Sequence, residues 1–242
     1  MHSLMLRGSS LEILKKCGGC YESPTDSNGK LLGPLVAYAG KYETEDGGKQ
    51  WVGSDYFNFA MAEQDPDVRD YFAGIIAGKI FSAEMGLLPT VVVGMPMGGI
   101  LLATELGRIL GCRTIFAEKK IIALADPAKG LKEVSELIIE RHEIRPNDNA
   151  FIVEDVCNNF STTQKAFALI AGRRAKFIGI NCAVNRSDKE EWSGYPVISA
   201  IFKPSKQYRQ DDPIVASLIA EGEIVWKPKQ EWSVLKAAME GK

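Results

Sequence analysis

The sequence has 242 residues, enough for one large α/β domain or for a domain with a small additional lobe. Hydrophobic residues make up 45% and charged residues 25%, and the formal net charge is -2, as is typical of a soluble globular protein. The charge leaves no general basic excess to attract nucleic acid or an anionic membrane, and no apolar run approaches the roughly 18–20 residues that cross a bilayer. We expect a cytoplasmic protein, because the N-terminus is too polar for a secretory signal.

The first third of the chain predicts a helix, an irregular lobe and a second helix. Residues 10–16 form a short amphipathic segment that ends at Gly18-Gly19, which predicts a helix and its stop. Residues 21–55 are rich in Gly, Asp, Ser and Pro, and we expect an irregular or hairpin region there that forms an outlying lobe. Apolar residues of 67–85 keep a 3.6 period, which predicts a helix that stops at Gly86.

From residue 90 onward, strands and helices alternate. The predicted strands are 90–94, the start of 112–120, 136–144, 150–156, 176–184 and 196–202, and the predicted helices are 100–110 and 163–171. Between them we expect a loop at 95–99, a loose segment at 121–135 and a turn at 145–149, and a last short helix follows near the C-terminus. This alternation predicts an α/β fold with a parallel sheet covered on both faces.

The cysteines predict reduced thiols and not a disulfide framework, because their number is odd and most lie in apolar segments. They are Cys17, Cys20, Cys112, Cys157 and Cys182. Cys17 and Cys20 have the spacing of half a zinc site or of a redox pair, but no second CxxC or paired His supplies the remaining two zinc ligands.

Ligands bind at the carboxyl ends of the strands in such sheets, which places two loops of this chain side by side. The first is Gly94-Met95-Pro96-Met97-Gly98-Gly99, which joins a strand to a helix N-terminus. Its glycines permit close approach of the backbone, and the helix N-terminus favours an anion. The alternative is a tight strand-to-helix turn that binds nothing.

The second loop follows Glu154 and Asp155. Two adjacent carboxylates at the end of a buried strand must meet water, cations or hydroxyl groups, and they suit ribose hydroxyls either directly or through Mg²⁺. Residues 161–163 then offer hydroxyls and N–H groups to a phosphate. The alternative is a plain helix cap by Ser161 or Thr162 beside solvated acids. A sugar that has a phosphate on one side and a second anionic group on the other describes 5-phosphoribosyl 1-pyrophosphate.

Five segments resemble the type I phosphoribosyltransferases, and in particular the orotate phosphoribosyltransferases. VEDV (153–156) resembles the phosphoribosyl pyrophosphate motif, and VVVGMPMGGI (91–100) resembles the pyrophosphate loop. IFAEKK (115–120) is similar to the segment that leads into the mobile catalytic loop. GGKQWVGSDYFNFAMAEQDP (47–66) is similar to the substrate lobe, and VNRSDKEEW (184–192) to a segment whose Arg holds the orotate carboxylate. The likeness extends over residues 10–235.

The resemblance implies a fold, an activity and a domain organisation. The fold is the parallel-sheet type I phosphoribosyltransferase fold with a small N-terminal substrate lobe, or hood. Its parts would be residues 1–66 as helix and hood, 67–205 as the core, and 206–242 as a C-terminal extension. The activity is transfer of ribose 5-phosphate to a base, with orotate expected, Mg²⁺ as cofactor and a homodimer as the assembly.

The same resemblance assigns site residues. The implied catalytic residues are Lys119, Lys120 and Asp155. The residues implied to bind phosphoribosyl pyrophosphate are Glu154, Asp155, Asn158, Asn159, Phe160, Ser161, Thr162, Met97, Gly98 and Gly99. Glu154 and Asp155 would also bind the metal, through water or the ribose. Those for the base are Lys49, Tyr56, Phe57 and Arg186. Lys129 and Lys132 lie in a segment expected to close over the site.

The chain departs from the family pattern in two places. Phe160 occupies a position where the family has a glycine, and we expect its side chain to shrink or redirect the phosphate pocket. The expected lid, IIALADPAKGLKEV, has no histidine. Two alternatives therefore stay open: a regulatory protein that binds phosphoribosyl pyrophosphate or a nucleotide without turnover, and a phosphoribosyltransferase for a purine or uracil.

Overall fold

The computed structural model describes residues 6–45, 48–83, 86–123 and 134–240. The helices in these residues are α1 (Ser10–Lys16), α2 (Ala60–Glu63), α3 (Pro66–Ser82), α4 (Gly99–Leu110), α5 (Ser161–Ala171), α6 (Ala216–Ala220) and α7 (Trp232–Met239). The strands are β1 (Cys20–Glu22), β2 (Leu35–Tyr42), β3 (Lys49–Gly53), β4 (Asp55–Phe57), β5 (Val91–Gly94), β6 (Arg113–Phe116), β7 (Glu118–Ala123), β8 (Val134–Ile138), β9 (Asn149–Cys157), β10 (Lys176–Asn185), β11 (Glu191–Trp192), β12 (Tyr195–Phe202) and β13 (Ile224–Val225).

The chain divides into two compact units. One is Glu63–Phe202, called here the core unit, and the other, the lobe unit, contains the described residues up to Ala62 together with those from Lys203 onward. Within the described ranges, no helix combines the length and the apolar character needed to cross a membrane.

A six-stranded sheet in the order β11-β12-β10-β9-β5-β6 forms the centre of the core unit. The strands from β12 to β6 are parallel to their neighbours, and β11 pairs antiparallel with β12. All four residues of β5 are buried, since neither face of a covered parallel strand meets water. The predicted α/β class is confirmed.

Helices cover both faces of this sheet. Val91 and Val93 belong to one buried cluster with Ile170 of α5. Val92 alternates to the other face, where α4 approaches so closely that a Cβ on Gly107 would lie 3.0 Å from a Val92 methyl carbon. On that face α3 packs beside α4. The two-sided cover predicted from the alternating pattern is therefore present.

Four parallel strands of the core unit end at one edge of the sheet. The register pairs Gly94 of β5 with both Val153 of β9 and Phe116 of β6. At the far end of β9, Cys157 pairs with Asn185 of β10. The segments that follow β5, β6, β9 and β10 consequently leave the sheet at the same edge, which is where ligands bind in open α/β sheets.

A buried carboxylate joins three chain segments at the opposite, amino edge. Asp148 forms an ion pair with Arg113, and it accepts hydrogen bonds from the Thr90 hydroxyl at 2.9 Å and the Arg145 N–H at 2.7 Å. Burial acts to raise the pKa of Asp148, but these donors outweigh it and hold the pKa below its ordinary value of 3.8. The network fixes the amino ends of β6 and β9 far from the ligand edge.

The lobe unit contains two small sheets and four helical segments. β2 and β3 form an antiparallel hairpin, β13 pairs parallel with β2, and β1 pairs antiparallel with β4. Ser9 caps α1 in a capping box with Glu12, and the helix ends before Gly18, which has a positive φ of 68°. The predicted first helix, its stop and the hairpin are confirmed.

Several predicted boundaries are wrong. The helix predicted over 67–85 ends at Ser82, because Ala83 is extended; residues 84 and 85 lie outside the described residues. The strand predicted at 136–144 is Val134–Ile138, and its partner β7 extends through residues 121–123, which were predicted to be loose. Antiparallel pairing satisfies the backbone N–H and C=O groups of β7 and β8, although their sequence shows no alternation of apolar and polar residues.

All five cysteines are free, as expected from the sequence. Burial raises the pKa of the Cys20 thiol to about 12, and the nearby Glu22 carboxylate adds to the rise. Such a thiol is a poor nucleophile near neutral pH.

Candidate functional site

Asp155 lies directly against the backbone of the 95–99 loop. A Cβ on Gly98 would be 2.3 Å from Oδ2 of Asp155, and a Cβ on Gly99 would be 2.0 Å from the Val153 carbonyl oxygen. The Met95 N–H donates to that same carbonyl at 2.9 Å. Only residues without a side chain permit this contact, so the two glycines explain how the loop reaches the end of β9. The structure thus brings together the two loops that the sequence predicted to be neighbours.

Glu154 and Asp155, called here the acid pair, lie on opposite sides of the sheet at its ligand edge. Alternation along β9 places Glu154 on the α5 side with Ile152, whereas Asp155 lies on the side of the 95–99 loop. Oδ1 of Asp155 accepts the Val156 N–H at 2.9 Å, which holds the carboxylate in place. Both acids are half-buried, so each can offer oxygen atoms to a ligand at this edge.

Glu63 is a third acidic residue near this edge, and no sequence motif indicated it. Burial raises the pKa of its carboxyl group, the negative charge of Asp155 raises it further, and Arg69 opposes the rise. Arg69 also donates to the Glu63 carbonyl at 2.6 Å. The negative potential around Asp155 therefore favours a cation or a hydroxyl donor there.

The donor set at this edge fits Mg²⁺. Carboxylate oxygens are its preferred protein ligands, and the ion commonly uses one or two of them and completes its shell with water and substrate oxygens. Glu154 and Asp155 supply that number. No group of three or more His, Cys, Asp or Glu residues among the described residues forms a complete protein cage.

Phe160 lies in the turn before α5, and its assignment to phosphoribosyl pyrophosphate stays a prediction. Its side chain is 9% exposed and belongs to the buried cluster between α5 and the sheet. Its backbone has φ 56° and ψ 20°, the left-handed conformation that glycine adopts most easily. The chain therefore keeps the turn that a glycine would make, while the aromatic ring packs in the core.

The start of α5 differs from the simple cap considered above. Phe160 is the N-cap and makes no side-chain cap hydrogen bond, so neither Ser161 nor Thr162 caps the helix. Asn159 Oδ1 accepts the Ser161 N–H at 3.2 Å, which orders the turn and starts α5 at residue 161 and not at the predicted 163. The exposed Asn159 is therefore engaged in the loop itself, whereas Thr162 is half-buried and lines a cleft.

Lys119 and Lys120 have different surroundings. Lys119 lines a cleft of about 170 Å³. Pro96 of the 95–99 loop, called the glycine loop from here on, and Thr162 of α5 also border this cleft. Lys120 is 3.0 Å from Glu140, and that hydrogen bond together with the carboxylate charge raises the pKa of Lys120. Of the two lysines, Lys119 is thus the one that the structure places beside the loops of the site.

Arg186 follows β10 at the same edge. It is only 5% exposed, and its backbone N–H donates to the Cys157 carbonyl at 2.9 Å, which ties it to the end of β9. A guanidinium buried to this degree is suited to bidentate binding of a carboxylate.

The other residues assigned to the base lie in the lobe unit. Lys49 begins β3, the rings of Tyr56 and Trp232 have centroids 5.9 Å apart, and Phe57 is buried. Their assignment to the base stays a prediction. Met97, in the glycine loop, is 83% exposed, and Lys129 and Lys132 of the expected lid lie outside the described residues.

The geometry described so far agrees with a comparison of the sequence with protein families. The profile described as "Phosphoribosyl transferase domain" matches residues 65–211, which include both loops and the acid pair. The chain belongs to this phosphoribosyltransferase family. The resemblance stated from the sequence motifs is confirmed.

Several curated relatives carry the name orotate phosphoribosyltransferase. The protein of that name from Deinococcus radiodurans is 32% identical over 142 residues, which are 56% of this chain and 66% of the relative. The one from Caldanaerobacter subterraneus is 28% identical over 173 residues, or 72% of this chain and 81% of the relative.

Solved structures support the fold. Orotate phosphoribosyltransferase from Aeropyrum pernix superimposes with a TM-score of 0.53 at 14% identity, covering 86% of this chain and 97% of that chain. Adenine phosphoribosyltransferase from Trypanosoma brucei gives 0.50 at 12% identity, with 78% of each chain covered. The expected phosphoribosyltransferase fold is thus confirmed.

Proposed function

We propose that this protein is a Mg²⁺-dependent phosphoribosyltransferase that transfers ribose 5-phosphate from phosphoribosyl pyrophosphate to orotate. The main observation in favour is the contact between Asp155 and the glycine loop, because it joins an acid pair to an anion-binding loop at one sheet edge. Curated relatives at 32% and 28% identity bear the name orotate phosphoribosyltransferase. The nearly buried Arg186 favours an anionic base over a neutral one.

In the proposed reaction, the bond between C1 of the ribose and the pyrophosphate oxygen breaks, and a bond from C1 to the base nitrogen forms. The pyrophosphate leaves with the electron pair of the broken bond, and the proton of the base N–H is released with it. Glu154 and Asp155 orient the ribose through its hydroxyls and would hold Mg²⁺ through water or those hydroxyls. When bound, the ion neutralises charge on the departing pyrophosphate. Lys119 and the N–H groups of the 95–99 loop stabilise the same charge, and Arg186 positions the base.

The test is pyrophosphate release from phosphoribosyl pyrophosphate in the presence of Mg²⁺, with orotate, uracil, adenine and hypoxanthine as separate acceptors. We expect release with orotate and at least a hundredfold loss in Asp155→Asn, because the neutral amide loses the charge at the acid pair. Release with another base alone would refute the orotate assignment. Binding of phosphoribosyl pyrophosphate in calorimetry without turnover on any base would favour the regulatory alternative.

The homodimer implied by the resemblance is part of the same proposal, and so is the cytoplasmic location. Sedimentation equilibrium at micromolar concentration would give twice the mass of 26.5 kDa if the dimer forms. A monomer that is fully active would contradict the dimer and leave the proposed reaction intact.

A further inference from the structure

The cleft beside Lys119 includes a second lysine that no sequence motif indicated. Lys165 of α5 lines it together with Lys119, Pro96 and Thr162, and the beginning of β8 closes one side through Glu136 and its neighbours. Three separate parts of the core unit thus converge on one space: the glycine loop, the β7–β8 pair and the first two turns of α5.

The position of Lys165 on α5 directs it to the same side as Thr162. The two residues are three apart in the helix, and side chains at that spacing lie one above the other. Lys165 is exposed and makes no ion pair with another described residue, in contrast to Lys120, which is 3.0 Å from Glu140. Its ammonium group is therefore available to a ligand in the cleft.

The charges that line the cleft favour an anion. Two lysines, Lys119 and Lys165, and a single acidic residue, Glu136, line the cleft, so the lining has an excess of one positive charge. The Thr162 hydroxyl adds a neutral donor from the first turn of α5. Lysines bind phosphate as mobile point charges, and this suits a group whose orientation the neighbouring loops already set.

The size of the cleft limits what it can hold. Its volume of about 170 Å³ is well below the roughly 300–1,000 Å³ of sites that enclose whole small molecules. A single phosphate group of a larger ligand fits, with the rest of that ligand extending toward the acid pair.

We propose that Lys165, acting with Lys119, binds one phosphate group of the phosphoribosyl substrate in this cleft. The inference rests on the proposed function and adds a binding residue to it. The phosphate is either the 5-phosphate, which the Thr162 side favours, or part of the pyrophosphate, which the Pro96 side favours. Lys165 contributes to affinity and not to the bond changes at C1.

Calorimetry with ribose 5-phosphate and, separately, with pyrophosphate, each with Mg²⁺, identifies which phosphate group Lys165 binds. We expect Lys165→Ala to weaken the affinity for one of them roughly tenfold, which is the effect of losing one charge-assisted hydrogen bond at a partly exposed site. Lys165→Arg should restore most of that affinity, and Lys165→Glu should weaken it further. Lys176→Ala is the matched control, because this exposed lysine begins β10 at the opposite edge.

Steady-state kinetics add a second readout. Lys165→Ala should raise the KM for phosphoribosyl pyrophosphate. The value of kcat should stay within about twofold if the bound group is the 5-phosphate, which is held equally in substrate and transition state, and should fall as well if it is the departing pyrophosphate. If the wild-type protein turns over orotate and Lys165→Ala binds both anions as tightly as Lys176→Ala, the role of Lys165 is refuted and the function stands. If the wild-type protein binds neither anion, both proposals fail.

Discussion

Gly98→Ala is a direct test of the contact between the glycine loop and Asp155. Gly98 has φ -66° and ψ -24°, a conformation open to alanine, so the substitution adds no backbone strain. Its new Cβ, however, would lie 2.3 Å from Oδ2 and 2.4 Å from Cγ of Asp155. An ordinary contact starts at 3.4 Å, so the carboxylate must move by the difference between 3.4 and 2.3, about 1.1 Å.

This displacement of the Asp155 carboxylate should reduce catalysis strongly and protein stability only moderately. Misplacing a substrate-positioning group by 1 Å costs about a hundredfold in rate, so we expect kcat/KM to fall by roughly that factor. The unfolding free energy should fall by about 1–3 kcal/mol, because the Asp155 carboxylate can rotate away but Cβ of Asp155, 2.9 Å from the new Cβ, requires a further small shift of the loop or of β9. Pyrophosphate release and thermal unfolding measure the two effects on the same preparations.

Two other glycines provide controls. A Cβ on Gly74 in α3 would meet nothing within 4 Å, so Gly74→Ala should leave activity unchanged and stabilise the helix by up to about 1 kcal/mol. A Cβ on Gly99 would lie 2.0 Å from the Val153 carbonyl, so Gly99→Ala must displace the backbone of β9 and should cost more than about 3 kcal/mol. Wild-type kinetics in Gly98→Ala would refute the argument that this contact positions Asp155.

Three further predictions concern the core, the amino edge and the two lysines. Phe160→Ala should lower the unfolding free energy by about 3–5 kcal/mol, and Phe160→Gly by about 1 kcal/mol less, because glycine relieves the left-handed backbone; urea unfolding measures both. Asp148→Asn should cost about 1–3 kcal/mol at pH 7. Since the folded pKa of Asp148 is lowered, its stabilisation is complete above the unfolded value near 3.8 and is lost as pH falls through the folded pKa, so unfolding between pH 7 and 2.5 should show a smaller acid loss in Asp148→Asn. Lys119→Ala should reduce pyrophosphate release at least tenfold more than Lys120→Ala, because Lys119 faces the cleft and Lys120 faces Glu140.

Each of these has an outcome that contradicts it. A Phe160→Gly variant less stable than Phe160→Ala would show that the backbone strain is negligible, and a large gain in affinity for phosphoribosyl pyrophosphate would show that the ring obstructs the site after all. Equal acid sensitivity of wild-type and Asp148→Asn would place the acid-labile group elsewhere. Equal losses in the Lys119→Ala and Lys120→Ala variants would mean that the β7–β8 pair rearranges when substrate binds.

The alternation of apolar strands and helices was enough to predict most of the core sheet, because its central strands are apolar runs: all four residues of β5 and nine of the ten residues of β10 are buried. The two loops of the site were predictable for a related reason. Glycines and adjacent acids at the end of an apolar run have no role inside a core, so their presence indicates a ligand edge. Strand β7 was not predicted as a separate strand, and β8 was predicted with the wrong bounds, because the exposed residues of β7 follow no alternating pattern.

What the sequence by itself determined, then, is the class of fold, the edge of the sheet that is used and the residue types gathered there. Only the tertiary structure decided where Phe160 points, since a positive φ of 56° and the packing of α5 on the sheet turn its ring into the core. It likewise separated Lys119 from Lys120 and added Glu63 and Lys165 to the surroundings of the site. These features depend on contacts between segments far apart in the chain, and local periodicity contains no information about which segments meet.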